Sequence, residues 1–405
     1  MKSVDQHLAD LLSLAAPLRP FEMHLLDAHD ATLAQDVHSS VDLPPWDNSA
    51  MDGYAVQYQD LVGATYATPV ELIVDGDIAA GAEHLPLVMR GRSLRIMTGA
   101  PIPPGCDAVV PVEWTDGGTE RVLITRAPVL GQNMRVKGSD IVSGTLILQE
   151  GVRLHAAQLA IAAAVGLARL PTHPHPRVVL ISTGDELIEP GLPLAPGQIY
   201  ESNSWMLAGA AREAGARAFR VETVPDNAER LMRVLEDQLV RADLVITTGG
   251  VSKGAYDTVK GVLQNLGTMR FETVAMQPGM PQGFGTIGPD FTPIVTLPGN
   301  PVSAYVSFEV FVRPMIRQML GLKEIFRPTV RASMRGNATS PKGKRSFLRA
   351  VIQVMDGRYV VTPVEGQGSH MLGALARANA LIVVPEEVEH IGVDDSVAVM
   401  MLSEG

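Results

Sequence analysis

Residues 177–186 read RVVLISTGDE, residues 243–250 read DLVITTGG and residues 293–301 read PIVTLPGNP. Each is a short apolar run rich in β-branched residues that stops at a glycine turn, the pattern of a strand buried on both faces. Between and after them lie runs with apolar residues at helical spacing: SWMLAGAAREAG (204–215), NAERLMRVLEDQLVRA (227–242), AYDTVKGVLQNLG (255–267) and VSAYVSFEVFVRPMIRQML (302–320). RAFRVETV (217–224) and RFETVAM (270–276) read as further strands. Strand–helix alternation over 173–327 predicts an α/β domain, a parallel sheet with helices on both faces.

In a parallel sheet the strand ends share one edge, the usual ligand crevice. Three turns fall there: Thr183-Gly184-Asp185-Glu186, Thr247-Thr248-Gly249-Gly250 and Pro298-Gly299-Asn300-Pro301. Glycine lets backbone N–H groups approach a ligand, and a helix N-terminus behind the turn favours phosphate. Pro301 also suits a first helical position on structural grounds alone. The acids beside these turns, Asp185, Glu186, Asp226 and Asp257, are the residue type that holds Mg²⁺ next to phosphate. Asp226 could equally cap the helix after it, and Asp257 could serve as a first-turn acid.

Outward from this core, three composition shifts divide the chain. Residues 44–140 are strand-like with frequent turn signals, a β-rich domain inserted in an N-terminal helical/linker domain made of 1–43 and 141–172. AAQLAIAAAVGL (156–167) supplies the returning helix. The connector PTHPHP (171–176) carries His173 and His175, but no further Cys or His stands at ligand spacing, so a linker is the better reading. Residues 328–405 hold five short strand runs, a C-terminal small β-barrel.

Composition narrows the function. The chain has 405 residues, 46% hydrophobic and 19% charged, with a net charge of −11. That size predicts several domains, and that charge argues against a nucleic-acid or anionic-membrane partner. No apolar run is long enough to span a bilayer, and the acidic N-terminus does not read as a secretory signal. The single cysteine, Cys106, excludes an intrachain disulfide and suits a cytoplasmic location. An anionic ligand must therefore be bound by local amides and a few placed cations, of which Lys342, Lys344, Arg345 and Arg349 form the densest group. No Walker A or HExxH motif is present. Gly250-Val251-Ser252-Lys253-Gly254 fits G-x-S-x-G, which would make Ser252 a serine-hydrolase nucleophile with His370 or His390 as base. The change to all-β text before either histidine speaks against it.

Seven blocks, NSAMDGYAV (48–56), RIMTGAPIP (95–103), KGSDI (137–141), STGDEL (182–187), TTGGVSKGAYD (247–257), LPGNPVSA (297–304) and GQGSH (366–370), resemble in order the signatures of the molybdopterin molybdenumtransferases. These are the MoeA proteins, relatives of the gephyrin E domain. The resemblance implies a homodimer of four-region chains that inserts molybdate into adenylylated molybdopterin, releasing AMP with Mg²⁺ assistance. Other proteins of molybdenum-cofactor biosynthesis are implied as partners. It assigns pterin and phosphate contacts to Thr183, Gly184, Asp185, Gly249, Gly250, Ser252, Pro298, Gly299 and Asn300. Catalytic roles fall to Asp52, Thr98, Asp140, Glu186, Asp226 and Asp257, the first three reaching the pocket from the partner chain. Mg²⁺ falls to Asp185, Glu186 and Asp257, and molybdate to Pro281, Arg345 and Ser369.

One departure stands out. The family commonly carries K-P-G-K-P where this chain has Gln277-Pro278-Gly279-Met280-Pro281. Two cations that would attract the oxyanion are replaced, each worth on the order of 4 kcal/mol at about 4 Å before desolvation. A pterin-binding or scaffold paralogue with weak or altered metal insertion is the alternative this departure raises.

Overall fold

The helix α1 (Val4–Leu12) is set by its own sequence: Ser3 and Gln6 close a reciprocal capping box, and Val4, His7 and Leu11 form one buried stripe. The computed structural model describes residues 1–249, 261–264 and 267–402. Two compact units divide the chain: Met1–Gln35, Gly151–His155 and Arg169–Gly405 in one, Asp36–Glu150 and Ala156–Ala168 in the other.

The second unit contains the predicted β-rich region. Its strands β1 (Gly53–Val56), β2 (Val70–Ile78), β3 (Arg92–Ile96), β4 (Ala108–Pro111) and β5 (Arg121–Ile124) form a five-stranded sheet in the order β4-β1-β3-β2-β5. Tyr54, Val56, Leu72, Val110 and Ile124 pack one face of it, and Ala55, Leu94, Ile96 and Val109 the other. Helix α2 (Ala156–Ala164) belongs to this unit.

In the first unit, the proline connector is only partly a linker. Arg169–His173 is a strand that pairs antiparallel with Phe21–His24. His173 and His175 each place Nδ1 on a backbone carbonyl, of Leu18 at 2.6 Å and Gly215 at 2.7 Å, so both rings are structural.

The α/β domain follows: β6 (Arg177–Ser182), α3 (Asn203–Glu213), β7 (Arg217–Arg220), α4 (Ala228–Leu239), β8 (Leu244–Thr248), β9 (Arg270–Thr273), β10 (Pro281–Ile287) and β11 (Thr292–Leu297). The sheet order is β7-β6-β8-β11-β10-β9. Its first four strands are parallel as expected, but β10 runs antiparallel to both its neighbours, β11 and β9, so the sheet is mixed. The connection from Ile287 to Thr292 is too short for a parallel crossover and forces a hairpin. Strand β10 escapes pattern reading because glycines interrupt it. A Cβ on Gly283 would meet the Phe271 ring at 2.9 Å, and one on Gly285 the Thr268 carbonyl oxygen at 2.5 Å.

One face of the sheet packs on α1, α3 and the long helical run that starts as α5 (Pro301–Ser307), passes through a π turn (Phe308–Val312) and ends as α6 (Arg313–Met319). The other face packs on α4. Each fully buried Leu, Val or Phe in these layers contributes about 1.5–3 kcal/mol. The remaining strands, β12 (Thr329–Met334), β13 (Arg345–Met355), β14 (Arg358–Pro363), β15 (Ala380–Val384) and β16 (Ser396–Met401), pair in a ring β13-β14-β12-β16-β15-β13. This is the small barrel the C-terminal text predicts. Met276–Gln277 adds a parallel strand beside β13, placing Gln277 opposite Ser346.

Candidate active site

Strands β6, β8 and β11 are adjacent and parallel, so their three glycine turns converge on one cleft of about 630 Å³. The strand order reverses between β6 and β8, which makes this the crevice where α/β sheets take ligands. Thr183, Glu186, Thr248, Gly249, Pro298, Gly299 and Asn300 line it, together with Pro281 and His370. Gly249 has φ +92°, and a Cβ there would sit 2.4 Å from the Thr183 carbonyl oxygen. Two turns thus approach through glycine backbone alone. Pro301 opens α5, and Val302 N–H donates to the Ser369 carbonyl at 3.1 Å. That bond seats the Gly366–His370 segment on the helix start and brings His370 to the cleft.

Acid groups gather behind the first turn. Asp226 N–H donates to Asp185 Oδ1 at 3.0 Å, and a Cβ on Gly184 would lie 2.7 Å from Glu186 Oε2. Burial, reinforced by Asp185 and Glu186, holds the Asp226 carboxyl above the usual carboxylate range. Its Oδ1 is buried and has no hydrogen-bond partner among the described residues. Asp226 is not a helix cap: Asn227 caps α4, accepting from Arg230 N–H at 3.0 Å. A buried oxygen with no donor beside two more carboxylates fits a hard divalent cation.

The floor of the cleft holds a network that sequence reasoning missed. Glu201, fully buried, accepts from Ser182 Oγ at 2.8 Å and from Ser204 Oγ at 2.6 Å. Arg220 donates to Ser204 Oγ at 2.6 Å, pairs with Glu189 at 3.0 Å and stacks on Trp205. Asn203 donates from Nδ2 to the Gly299 carbonyl at 2.7 Å, tying the start of α3 to the third turn. Only the short QIYESNSW text before α3 hinted at these polar groups, and no spacing rule singles them out.

Arg345, expected to receive molybdate, and Arg349, from the same basic cluster, stand in two different situations. Arg345 is committed: it makes a two-point pair with Asp5 at 2.7 and 2.8 Å and another with Glu386 at 3.0 Å. The Asp5 hydrogen bonds raise the Arg345 pKa further above its ordinary value. Arg349, on the same strand, is buried, and burial pushes its guanidinium pKa down. No carboxylate among the described residues pairs with it, its Nε has no partner, and its Nη2 donates to the Gly366 carbonyl at 2.7 Å. Gln367 clamps the Arg349 backbone from both sides, through Oε1 at 3.1 Å and Nε2 at 2.9 Å. Arg349 is thus the uncompensated cation bonded to the segment that reaches the cleft.

In the other unit, Asp52 Oδ1 accepts from Thr98 N–H at 2.6 Å and Thr98 Oγ1 at 2.9 Å. Those bonds, the backbone one first, hold its carboxyl below the usual range. Asp52 faces a separate 420 Å³ pocket with Arg95 and Asp77. Asp140 is exposed, its N–H bonded to the Leu43 carbonyl at 3.0 Å, and does not line that pocket. Gly250, Ser252 and Asp257 lie outside the described residues.

Family models agree with this architecture. Residues 2–166 match the MoeA N-terminal region (domain I and II), 179–318 a probable molybdopterin binding domain, and 331–402 the MoeA C-terminal region (domain IV). A Mycobacterium tuberculosis protein named molybdopterin molybdenumtransferase 2 is 46% identical, covering 96% of this chain and 97% of its own. Molybdopterin molybdenumtransferase 1 of the same organism is 37% identical over the full length of both chains. The crystal structure of a molybdopterin biosynthesis MoeA protein from Pyrococcus horikoshii superposes with a TM-score of 0.83 at 29% identity, covering 100% of this chain and 99% of that one. Full-length similarity on this scale means that the chain belongs to the molybdopterin molybdenumtransferase (MoeA) family, the transferases of molybdenum-cofactor biosynthesis.

Proposed function

We propose that the chain inserts molybdate into adenylylated molybdopterin and releases AMP. The observation that carries this reading is the single cleft in which three glycine turns meet a carboxylate group on one side and the Arg349-bound Gly366–His370 segment on the other. Backbone N–H groups and the start of α5 suit phosphate oxygens. Asp185, Glu186 and Asp226 are assigned to Mg²⁺, with Asp257 as the sequence expectation. The carboxylates of the described residues are too spread for one ion to take all three. Mg²⁺ held by one or two of them, with substrate oxygens and water completing its shell, is the chemistry that fits. When bound, the ion would neutralise charge developing on the phosphate. Asp226 would keep or release a proton at its buried Oδ1.

For molybdate we assign Arg349 in place of Arg345, because a cation already shared by two carboxylates has little field left for an oxyanion. Ser369 and Pro281 stay in the assignment beside it. A homodimer is proposed, in which Asp52, Thr98 and Asp140 of a second chain serve the reaction, and the location proposed is cytoplasmic.

The test is AMP release from adenylylated molybdopterin with and without molybdate and Mg²⁺. Release that needs both ions supports the reading. Tight binding of the pterin nucleotide with no molybdate response overturns it in favour of a binding paralogue. Gln277→Lys combined with Met280→Lys then separates a specialised enzyme from a decayed one: lowered half-saturation for molybdate is expected, because Gln277 lies against the strand that bears Arg349.

A further inference from the structure

We propose a second metal site, for a late first-row divalent ion such as Zn²⁺, formed by His29, Asp30 and His155. Their ligand atoms all lie within 4.8 Å of one another, and no other group of three such residues among the described residues does so. His29 Nδ1 stands 3.4 Å from Asp30 Oδ2, and His155 Nδ1 stands 3.2 Å from Asp30 Oδ1. Ligands about 2.1 Å from a tetrahedral ion sit about 3.4 Å apart along each edge; both spacings are near that value but run to different oxygens of Asp30, so the carboxylate turns to offer one oxygen to an ion held by both imidazoles.

The arrangement is built by backbone. Asp30 N–H donates to the Leu154 carbonyl at 2.8 Å, and Leu154 N–H to the Ala31 carbonyl at 2.9 Å. A bridge between Thr32 and Arg153 continues the register. The 25–30 turn and the 151–155 segment, distant in sequence, are thereby held side by side within one unit. Asp30 has φ +64°, a left-handed conformation that an aspartate tolerates better than most residues, and it sits between the two imidazoles. Arg153 Nε lies 3.5 Å from Asp30 Oδ1, which steadies the carboxylate but also competes for it. Oδ2 faces His29.

The ligand chemistry separates this site from the cleft. Two imidazoles and one carboxylate suit Zn²⁺, Ni²⁺ or Cu²⁺, whereas the carboxylates at Asp185, Glu186 and Asp226 suit Mg²⁺. The side chains of His29 and His155 are 53% and 56% exposed, so rotamer adjustment can close the remaining spacing and a fourth position stays open to water or another ligand.

The experiment titrates tag-free, chelator-treated full-length protein with Zn²⁺ by calorimetry, in about 5 mM Mg²⁺, and with Co²⁺ by its visible absorption. One equivalent of Zn²⁺ is expected, indifferent to Mg²⁺. His29→Ala and His155→Ala should each weaken it at least about tenfold and together abolish it, while His84→Ala, at an exposed histidine elsewhere, leaves it intact. Circular dichroism checks the fold, and His29→Gln with His155→Gln replaces any alanine variant that unfolds. The proposal is overturned if the double variant titrates like the wild type, or if the wild type takes up no stoichiometric Zn²⁺ below about 0.1 mM.

Discussion

Arg345 and Arg349 stand four positions apart on one strand, and sequence alone could not rank them. Both are arginines in a basic stretch, and both could offer two donors to an oxyanion. Their neighbours decide: Asp5 comes from the N-terminal helix and Glu386 from the barrel, and both close on Arg345. Arg349 is buried, and no acid among the described residues compensates it. Arg349→Ala should lower molybdate-dependent turnover about 10- to 100-fold, the scale of a lost charge-assisted contact of about 1.5–3 kcal/mol. Arg345→Ala should change it less than about threefold. Turnover measured over a molybdate series, with unfolding midpoints to control for burial, checks the pair. The reverse ranking would return the oxyanion to Arg345.

At the scale of elements, α1 shows how a helix readable in sequence acquires a role that is not. Its capping box and buried stripe are written in Ser3, Val4, Gln6 and Leu11. Its partner is the α/β core, where His7 is fully buried edge-on to Phe284 and Phe311 and its Nδ1 lies 3.2 Å from Glu272. Lys2 and Asp10 flank the same group. Burial, the largest influence, holds the His7 pKa below its ordinary value. The unfolded chain therefore takes up the proton first. The associated stability is present above about pH 6.5 and is lost as pH falls through the depressed folded value. Thermal unfolding from pH 7.5 to 5 should show a steeper loss for the wild type than for His7→Leu. Parallel curves would mean that His7 does not carry the acid sensitivity.

At the scale of the molecule, the helical run after β11 ends where the barrel begins, and one buried pair sits at that junction. Glu309, on the π turn, binds Arg327 through two contacts of 2.8 and 3.2 Å, with both residues buried, and Arg313 Nε lies 3.9 Å away. Removing Glu309 leaves buried Arg327 with only the exposed Glu213, 4.0 Å away, which costs about 3–5 kcal/mol. Glu309→Ala should lower the stability of this unit by that order in denaturant titrations followed by barrel and α/β probes. Glu309→Met with Arg327→Met should recover much of it. A loss below about 1 kcal/mol in the single variant would show that solvent reaches the pair.

The sequence by itself determined the four parallel strands of the α/β sheet, the three glycine turns and the five barrel strands, because each is encoded by local periodicity and turn chemistry. It also carried the family blocks. Only the tertiary structure decided that β10 runs antiparallel to both its neighbours, that the His173 and His175 rings hold backbone carbonyls, and that Glu201 and Arg220 underlie the cleft. It alone decided which arginine lacks an acid partner and that His29, Asp30 and His155 meet. The reason is physical: pairing direction, burial and charge compensation depend on what distant segments bring to a residue, and a single sequence records only what is near it in the chain.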